Sequence, residues 1–285
     1  MIKIQEEFPL FQVIHHPIPR DKEYELKYAK GIVKKTFIRS WYSFLKMQSK
    51  VAPKMHNIIS PSKSSKNDIQ KYFHVDASKI HVIPNGIDTE IFKPNPMISK
   101  KPFKLITTAS ADVPLKGLDF TLRAIAIAKD KYPLINLVVI GKPRSGGHTE
   151  RLISKLGIDE FVSFKTNLTN QEVSDEYASS QIAVVSSLYE GFGFPVGEAM
   201  ACAVPLIATD VASIPEITGP YAEMISPESH EDIFNSLDNI FQNYDHYMKK
   251  ANLGRDHILQ NFSWSVIANS YIDHISSILT SHADI

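Results

Sequence analysis

Ser187-Leu-Tyr-Glu-Gly-Phe-Gly-Phe-Pro-Val-Gly-Glu-Ala-Met-Ala-Cys202 decides how this chain is read, because it sets two carboxylates, Glu190 and Glu198, around a glycine-containing turn. Just upstream, the apolar, β-branched run from Ile182 to Ser186 is bounded by polar residues and reads as a buried parallel strand. Just downstream, Pro195 suits the first turn of a helix, where its missing N–H costs nothing. The free N–H groups and positive dipole end of such a helix favour an anion above the carboxyl end of the strand. Gly191 and Gly193 let the backbone come close to that ligand. A phosphate and a sugar suit the arrangement. Acidic residues near a helix N-terminus also stabilise its dipole with no ligand present, so the spacing by itself leaves both readings open.

Outward from this turn, short apolar runs alternate with helical patterns from about Phe103 onward. Strands are expected at 104–109, 136–140, 161–164, 182–186, 206–209 and 222–225. Helical spacing of apolar positions marks 118–128, 149–156, 171–179 and 195–203. Such alternation implies an α/β fold with a parallel sheet and right-handed crossovers. Before Phe103 the pattern differs: a strand from Phe11 to Ile14 ends in His15-His16-Pro17, a long helical region follows, and two more strands at 57–60 and 81–83 flank a helix near 69–73. Ile91-Phe-Lys-Pro-Asn-Pro-Met97 reads as a proline-rich linker. A last helix starts behind the N-cap candidate Ser263 and runs to Leu279.

Glu190-Gly-Phe-Gly-Phe-Pro-Val-Gly-Glu198, followed by Ala-Met-Ala-Cys, closely resembles the donor-site signature of family 4 glycosyltransferases, retaining enzymes of the two-domain GT-B fold. Four further segments agree in order: Val82-Ile-Pro-Asn-Gly-Ile-Asp88, Leu115-Lys-Gly-Leu118, Val138-Val-Ile-Gly141, and Pro205-Leu-Ile-Ala-Thr-Asp210 with Pro215-Glu-Ile217. The resemblance implies that Glu190 meets the donor sugar, that the backbone of Gly191, Phe192, Gly193 and Phe194 meets the diphosphate, and that Glu198 binds the ribose. It assigns Lys116 to the diphosphate, where an ammonium acts as a point charge, and adds Gly141 to the donor site. It places the nucleobase on the loop backbone at Asn167 and Leu168. His15, with His16 as its competitor, takes the position of a histidine that approaches the donor sugar. Glu190, Lys116 and His15 are thus the expected catalytic residues.

The resemblance also implies a division into a partial N-terminal acceptor domain with linker (1–97), a complete Rossmann-like donor domain (98–260), and a C-terminal helix (261–285) packing back toward the first domain. Two departures stand out. The family usually carries an arginine a few residues before the lysine, whereas this chain has Thr108-Ala-Ser-Ala-Asp112. Relative to a full member, roughly a hundred residues of the first doubly wound domain are expected to be absent. A sheet cut in this way exposes an edge and an apolar face, which leaves three alternatives: another chain supplies the missing half, the chain self-associates, or it is a decayed gene product.

Composition bounds the remaining possibilities. The formal net charge is zero, which gives no reason to expect nucleic acid. The single cysteine, Cys202, excludes an internal disulfide and reads as a small buried apolar residue rather than a nucleophile. No apolar run is long enough to span a bilayer and the first residues lack a signal peptide's apolar region, so a cytoplasmic location is expected. No Asp-x-Asp triplet occurs, so neither a metal nor a cofactor beyond the nucleotide sugar itself is expected. Residues 20–54 carry ten Lys or Arg against three Asp or Glu, with Phe37, Trp41, Tyr42 and Phe44 interleaved. That composition suits either a solvated basic helix or peripheral contact with the inner face of a membrane.

The leading expectation is transfer of a sugar from a nucleotide-diphosphate sugar to a hydroxyl of a glycan, lipid-linked or small-molecule acceptor, with retention. A truncated homologue that binds a nucleotide sugar or a partner without turnover is the alternative. A dinucleotide-dependent oxidoreductase is a weaker reading: Gly191-Phe-Gly193 follows a strand and Asp210 ends the next, but Gly197 falls one position late for the fingerprint.

Overall fold

The computed structural model describes residues 5, 8–16 and 18–283. The chain divides into two compact units. The larger comprises Ile87–Tyr189 and Gly193–Ser263; the smaller holds the described residues up to Gly86, the tripeptide Glu190–Phe192, and the chain from Trp264 on.

In the larger unit six strands, β4 (Lys104–Thr108), β5 (Asn136–Ile140), β6 (Val162–Lys165), β7 (Ile182–Val185), β8 (Leu206–Thr209) and β9 (Glu223–Ile225), form one parallel sheet in the order β6-β5-β4-β7-β8-β9. The connecting helices are α5 (Leu118–Lys131), α6 (His148–Leu156), α7 (Asn170–Ser179), α8 (Phe194–Ala201) and the short α9 (Ile214–Thr218). Leu105, Ile106, Leu137, Val139, Ile182, Val184 and Ile207 are almost completely buried, so adjacent positions on β4 are covered on both faces. That is why these strands show continuous apolar runs instead of alternation. Two helices follow β9: α10 (His230–Gln242) packs on α5, and α11 (Tyr244–Asn261) packs on α8. The sequence reading did not include them. The buried stripe of α11 is Tyr247, Ala251, Gly254 and Ile258, in which the two smallest residues hide the helical period.

In the smaller unit β1 (Phe11–Val13), β2 (Asn57–Ser60) and β3 (Ile80–Val82) form a parallel sheet in chain order. Helix α4 (Lys63–Phe73) connects β2 to β3, capped by the Ser62 hydroxyl, which accepts from the Ser65 N–H. The long helical region expected between β1 and β2 is three helices, α1 (Pro19–Tyr28), α2 (Ile32–Trp41) and α3 (Leu45–Val51). The chain breaks at Gly31, in the left-handed region, and again at the tight turn Tyr42–Phe44. Helix α12 (Trp264–Ala283) brings Ile267 and Tyr271 against Ile59, Ile83 and Phe11 of this unit.

Candidate functional site

In the larger unit the strand order reverses between β4 and β7, and crevices at the carboxyl ends of strands flanking such a reversal are where doubly wound sheets bind ligands. Here the chain builds a cavity of about 390 Å³ lined by Thr108, Ser110, Lys116, Gly141, Lys142 and Pro195, among others. That volume lies within the range of small-molecule sites.

The position of Lys116 follows from its neighbours. It ends a short 3-10 turn, Pro114–Lys116, and Gly117 follows with φ +63°. A Cβ on residue 117 would lie 1.9 Å from the carbonyl oxygen of Ser186, so only glycine lets this turn close against the end of β7. The Ser186 hydroxyl donates to the carbonyl of Gly117 (3.0 Å), and the Leu188 N–H donates to the carbonyl of Leu115 (2.8 Å). Lys116 is therefore held at the cavity by two bonds between the turn and the chain after β7.

Pro195 lies in the first turn of α8, two residues after Gly193, and Phe194 between them is exposed. From α7, the buried Tyr177 donates its hydroxyl to the carbonyl of Pro195 (3.4 Å) and bonds Thr108 Oγ1 (3.1 Å). One side chain thus braces both the end of β4 and the start of α8. Burial, and secondly the nearby Glu198 carboxylate, push the Tyr177 phenol well above its ordinary pKa, so it stays neutral. Glu198 sits one turn into α8. Burial pushes its carboxyl up to about 7, so it changes charge near neutrality.

Gly141 lines the cavity, whereas Asn167 and Leu168 do not. These two lie in the loop between β6 and α7, where Asn167 adopts φ +57° just before the Thr169–Glu172 capping box.

The tripeptide Glu190–Phe192 belongs to the smaller unit, where Glu190 and Phe192 are buried. The carbonyl of Gly191 accepts from the hydroxyls of Ser62 (2.8 Å) and Ser65 (2.9 Å) at the start of α4. A Cβ on residue 191 would lie 2.6 Å from the carbonyl oxygen of His15 and 3.1 Å from Nδ1 of His16. His15 is exposed, while His16 Nε2 pairs with Asp21 Oδ1 at 2.6 Å. Lys116, Gly141 and the start of α8 therefore share one cavity in the larger unit, and Gly191 lies against the two histidines in the smaller one. Sequence reasoning missed Lys142, Ser110, Thr108 and Tyr177. Lys142 was within reach, because it directly follows Gly141 at the end of a strand. Tyr177 carried no signal.

Comparison with known proteins supplies the family. A family model described as "Glycosyl transferases group 1" matches residues 88–257. The chain belongs to this family. A second model, "Glycosyltransferase Family 4", matches residues 3–91. The MMP alpha-(1->4)-mannosyltransferase of Mycolicibacterium hassiacum is 34% identical over 264 residues, covering 92% of this chain and 63% of that protein. The phosphatidylinositol N-acetylglucosaminyltransferase gpi3 subunit of Schizosaccharomyces pombe is 24% identical over 194 residues, covering 68% and 42%. The chain thus spans about half the length of the curated relatives it matches. Among solved structures, Anabaena Alr3699/HepE in complex with UDP and glucose superposes with a TM-score of 0.79 at 17% identity, over 97% of this chain and 74% of that one. Sucrose-phosphate synthase from Thermosynechococcus elongatus gives 0.77 at 17% identity, over 98% and 70%. These two show the fold, which is α/β and GT-B-like. The C-terminal domain of the group 1 protein LpcC from Francisella tularensis is 26% identical with a TM-score of 0.55, over 63% of this chain and all of that domain.

Proposed function

We propose that this chain carries the donor-handling part of a retaining, metal-independent glycosyltransferase, which takes a sugar from a nucleotide diphosphate and passes it to a hydroxyl acceptor. The observation that carries the reading is the cavity at the strand-order reversal, lined by Lys116 and by the first turn of α8. The Lys116 ammonium and the positive dipole end of α8 are preorganised there for the charge that develops on a departing diphosphate. The protein's own cation then does the neutralising that a metal ion would otherwise do. Glu198, one turn further on, accepts from the ribose hydroxyls in its ionised form. Glu190 orients the sugar, which raises the fraction of productive encounters. Membership of the family and the UDP-bound and mannosyltransferase relatives support this assignment.

For the histidine, His15 is the residue carried by the resemblance, and a specific observation favours His16 as a second reading. Asp21 holds Nε2 of His16, and a carboxylate in that position fixes both ring orientation and tautomer. Alanine at each position separates them, because only the true sugar-facing ring changes turnover without changing nucleotide affinity.

The direct test is titration with uridine and guanosine diphosphates, followed by turnover of the matching nucleotide sugars in the presence of a chelator. Lys116→Ala should weaken diphosphate binding and spare the nucleosides. Glu190→Ala should abolish donor hydrolysis and leave nucleotide binding nearly intact. Binding of neither diphosphate, or turnover that collapses with the chelator and returns with metal, would overturn the respective part of the reading.

We extend the proposal to peripheral contact between residues 20–54 and an anionic bilayer. Ile32, Val33, Phe37 and Trp41 are exposed on α2 among Lys34, Lys35 and Arg39. Apolar wedges with basic neighbours match the chemistry of such a surface. Among the described residues no helix is long and apolar enough to cross a membrane. Co-sedimentation with phosphatidylserine-containing vesicles, against phosphatidylcholine alone, tests the contact.

A further inference from the structure

We propose that Lys142 is a second cation for the donor's diphosphate and that Asp112 is the residue that positions it. The inference rests on the donor-site reading above. A nucleoside diphosphate carries more than one negative charge at neutral pH, and Lys116 supplies a single compensating charge. The loop after β4, Thr108-Ala-Ser-Ala-Asp112, contains no cation. Lys142 lines the same cavity as Lys116, on the chain that leaves β5.

That chain is Gly141-Lys-Pro-Arg-Ser-Gly-Gly-His148, with three glycines; its far end is tied by Glu150 Oε2, which accepts the Gly146 N–H (2.6 Å), and by His148 Nε2 on Asp119 Oδ2 (2.6 Å). Asp112 anchors it. Its Oδ2 accepts the Arg144 N–H (2.8 Å), its Oδ1 accepts the Thr149 N–H (2.8 Å), and its own N–H donates to Thr149 Oγ1 (3.1 Å). Only Pro143 separates Lys142 from the residue that makes the first of these bonds, and its ring locks one of the intervening dihedrals. Asp112 adopts φ +63°, a conformation that Asp tolerates better than most residues. Partial burial works against its charge, but the N–H bonds from Arg144 and Thr149 win and hold the carboxyl below its ordinary pKa. The carboxylate is therefore ionised across the working pH range. The loop after β4 thus furnishes an anchor, and the loop after β5 furnishes the charge.

Calorimetric titration of the full chain with uridine and guanosine diphosphates and with the two nucleosides, at low and high salt, tests the assignment. Lys142→Ala should lower diphosphate affinity by about tenfold, the loss expected for one charge-assisted contact, and flatten the salt dependence. Nucleoside affinity should not change, and Lys142→Arg should restore diphosphate binding. Asp112→Asn, which keeps one acceptor oxygen, and Asp112→Ala should produce the same split between diphosphate and nucleoside. Combined with Lys142→Ala they should add little further, as expected for residues acting through one contact. Unchanged affinity in Lys142→Ala, with a loss in Lys116→Ala, would make Lys142 a solvated surface lysine and overturn the proposal while the donor site stands. Equal losses for nucleoside and diphosphate in the Asp112 variants would reduce Asp112 to a structural role and overturn its part. No loss in either lysine variant would overturn the proposal together with the donor-site reading.

Discussion

The sheet of the larger unit and helix α2 of the smaller one contain the same kinds of residues in opposite circumstances. On β4, Leu105 and Ile106 point to opposite faces of the sheet and neither is exposed at all. On α2, Ile32, Val33, Phe37 and Trp41 remain between 66% and 85% exposed. Both segments carry a legible apolar pattern, yet it means burial in one and display in the other. Periodicity reports the local conformation; whether a face is covered depends on what the rest of the chain places over it.

Four substitutions would break or sharpen this contrast. The largest effect is expected for Leu122→Ala on α5, a fully buried side chain in the main core, which should cost about 2 to 5 kcal/mol in chemical denaturation. A loss as small as that of a surface residue would mean that the sheet's cover is loose.

Glu198→Gln comes next and depends on pH. The carboxyl, ordinarily near 4.5, titrates at about 7 in the folded chain because it is buried. The folded state therefore binds this proton more tightly than the unfolded state. Stability is complete below 4.5, declines as pH rises toward 7, and stays reduced above it. Glutamine removes that loss, so the variant should gain on the order of 3 kcal/mol over the wild type at pH 8 and nothing at pH 4. Thermal melts at the two pH values check the sign, and a gain that is independent of pH would contradict the burial argument.

Gly191→Ala should cost about 1 to 3 kcal/mol, because the new methyl meets the His15 carbonyl in a packed backbone contact. Its melting curve should shift, whereas a silent substitution would place the Glu190–Phe192 tripeptide away from β1. The smallest effect is expected for Phe37→Ala, less than about 0.5 kcal/mol in stability, accompanied by weaker binding to anionic vesicles. Strong destabilisation would show that α2 is covered in solution and would erase the contrast with β4.

The site was legible in proportion to how local its chemistry is. Asn57–Ser60, Asn136–Ile140 and Leu206–Thr209 were read to the residue, because each is a short apolar run with a clear stop: Asn57 and Ser60 bound the first, Asn136 and Gly141 the second, and Pro205 and Asp210 the third. Helix α8 was anticipated from Pro195 and its preceding glycines. The break at Gly31 and the helices α10 and α11 were not. A single glycine inside a basic helical pattern is ambiguous, and a buried stripe built from Ala251 and Gly254 has too little apolar surface to register.

Along the chain alone, the turn from Glu190 to Glu198, Lys116 before a glycine, and the strand and helix alternation were enough for the family and the fold. These depend on neighbours a few residues apart, whose sterics and hydrogen bonding a sequence displays directly. Folding decided what depends on residues far apart in the chain. It set Lys142 in the same cavity as Lys116 and tied the Gly141–His148 loop to Asp112. It placed Tyr177 under both Thr108 and Pro195 and raised Glu198 to a pKa near neutrality. Each of these is a matter of distance and desolvation, and both quantities exist only once the sheet has brought its loops together.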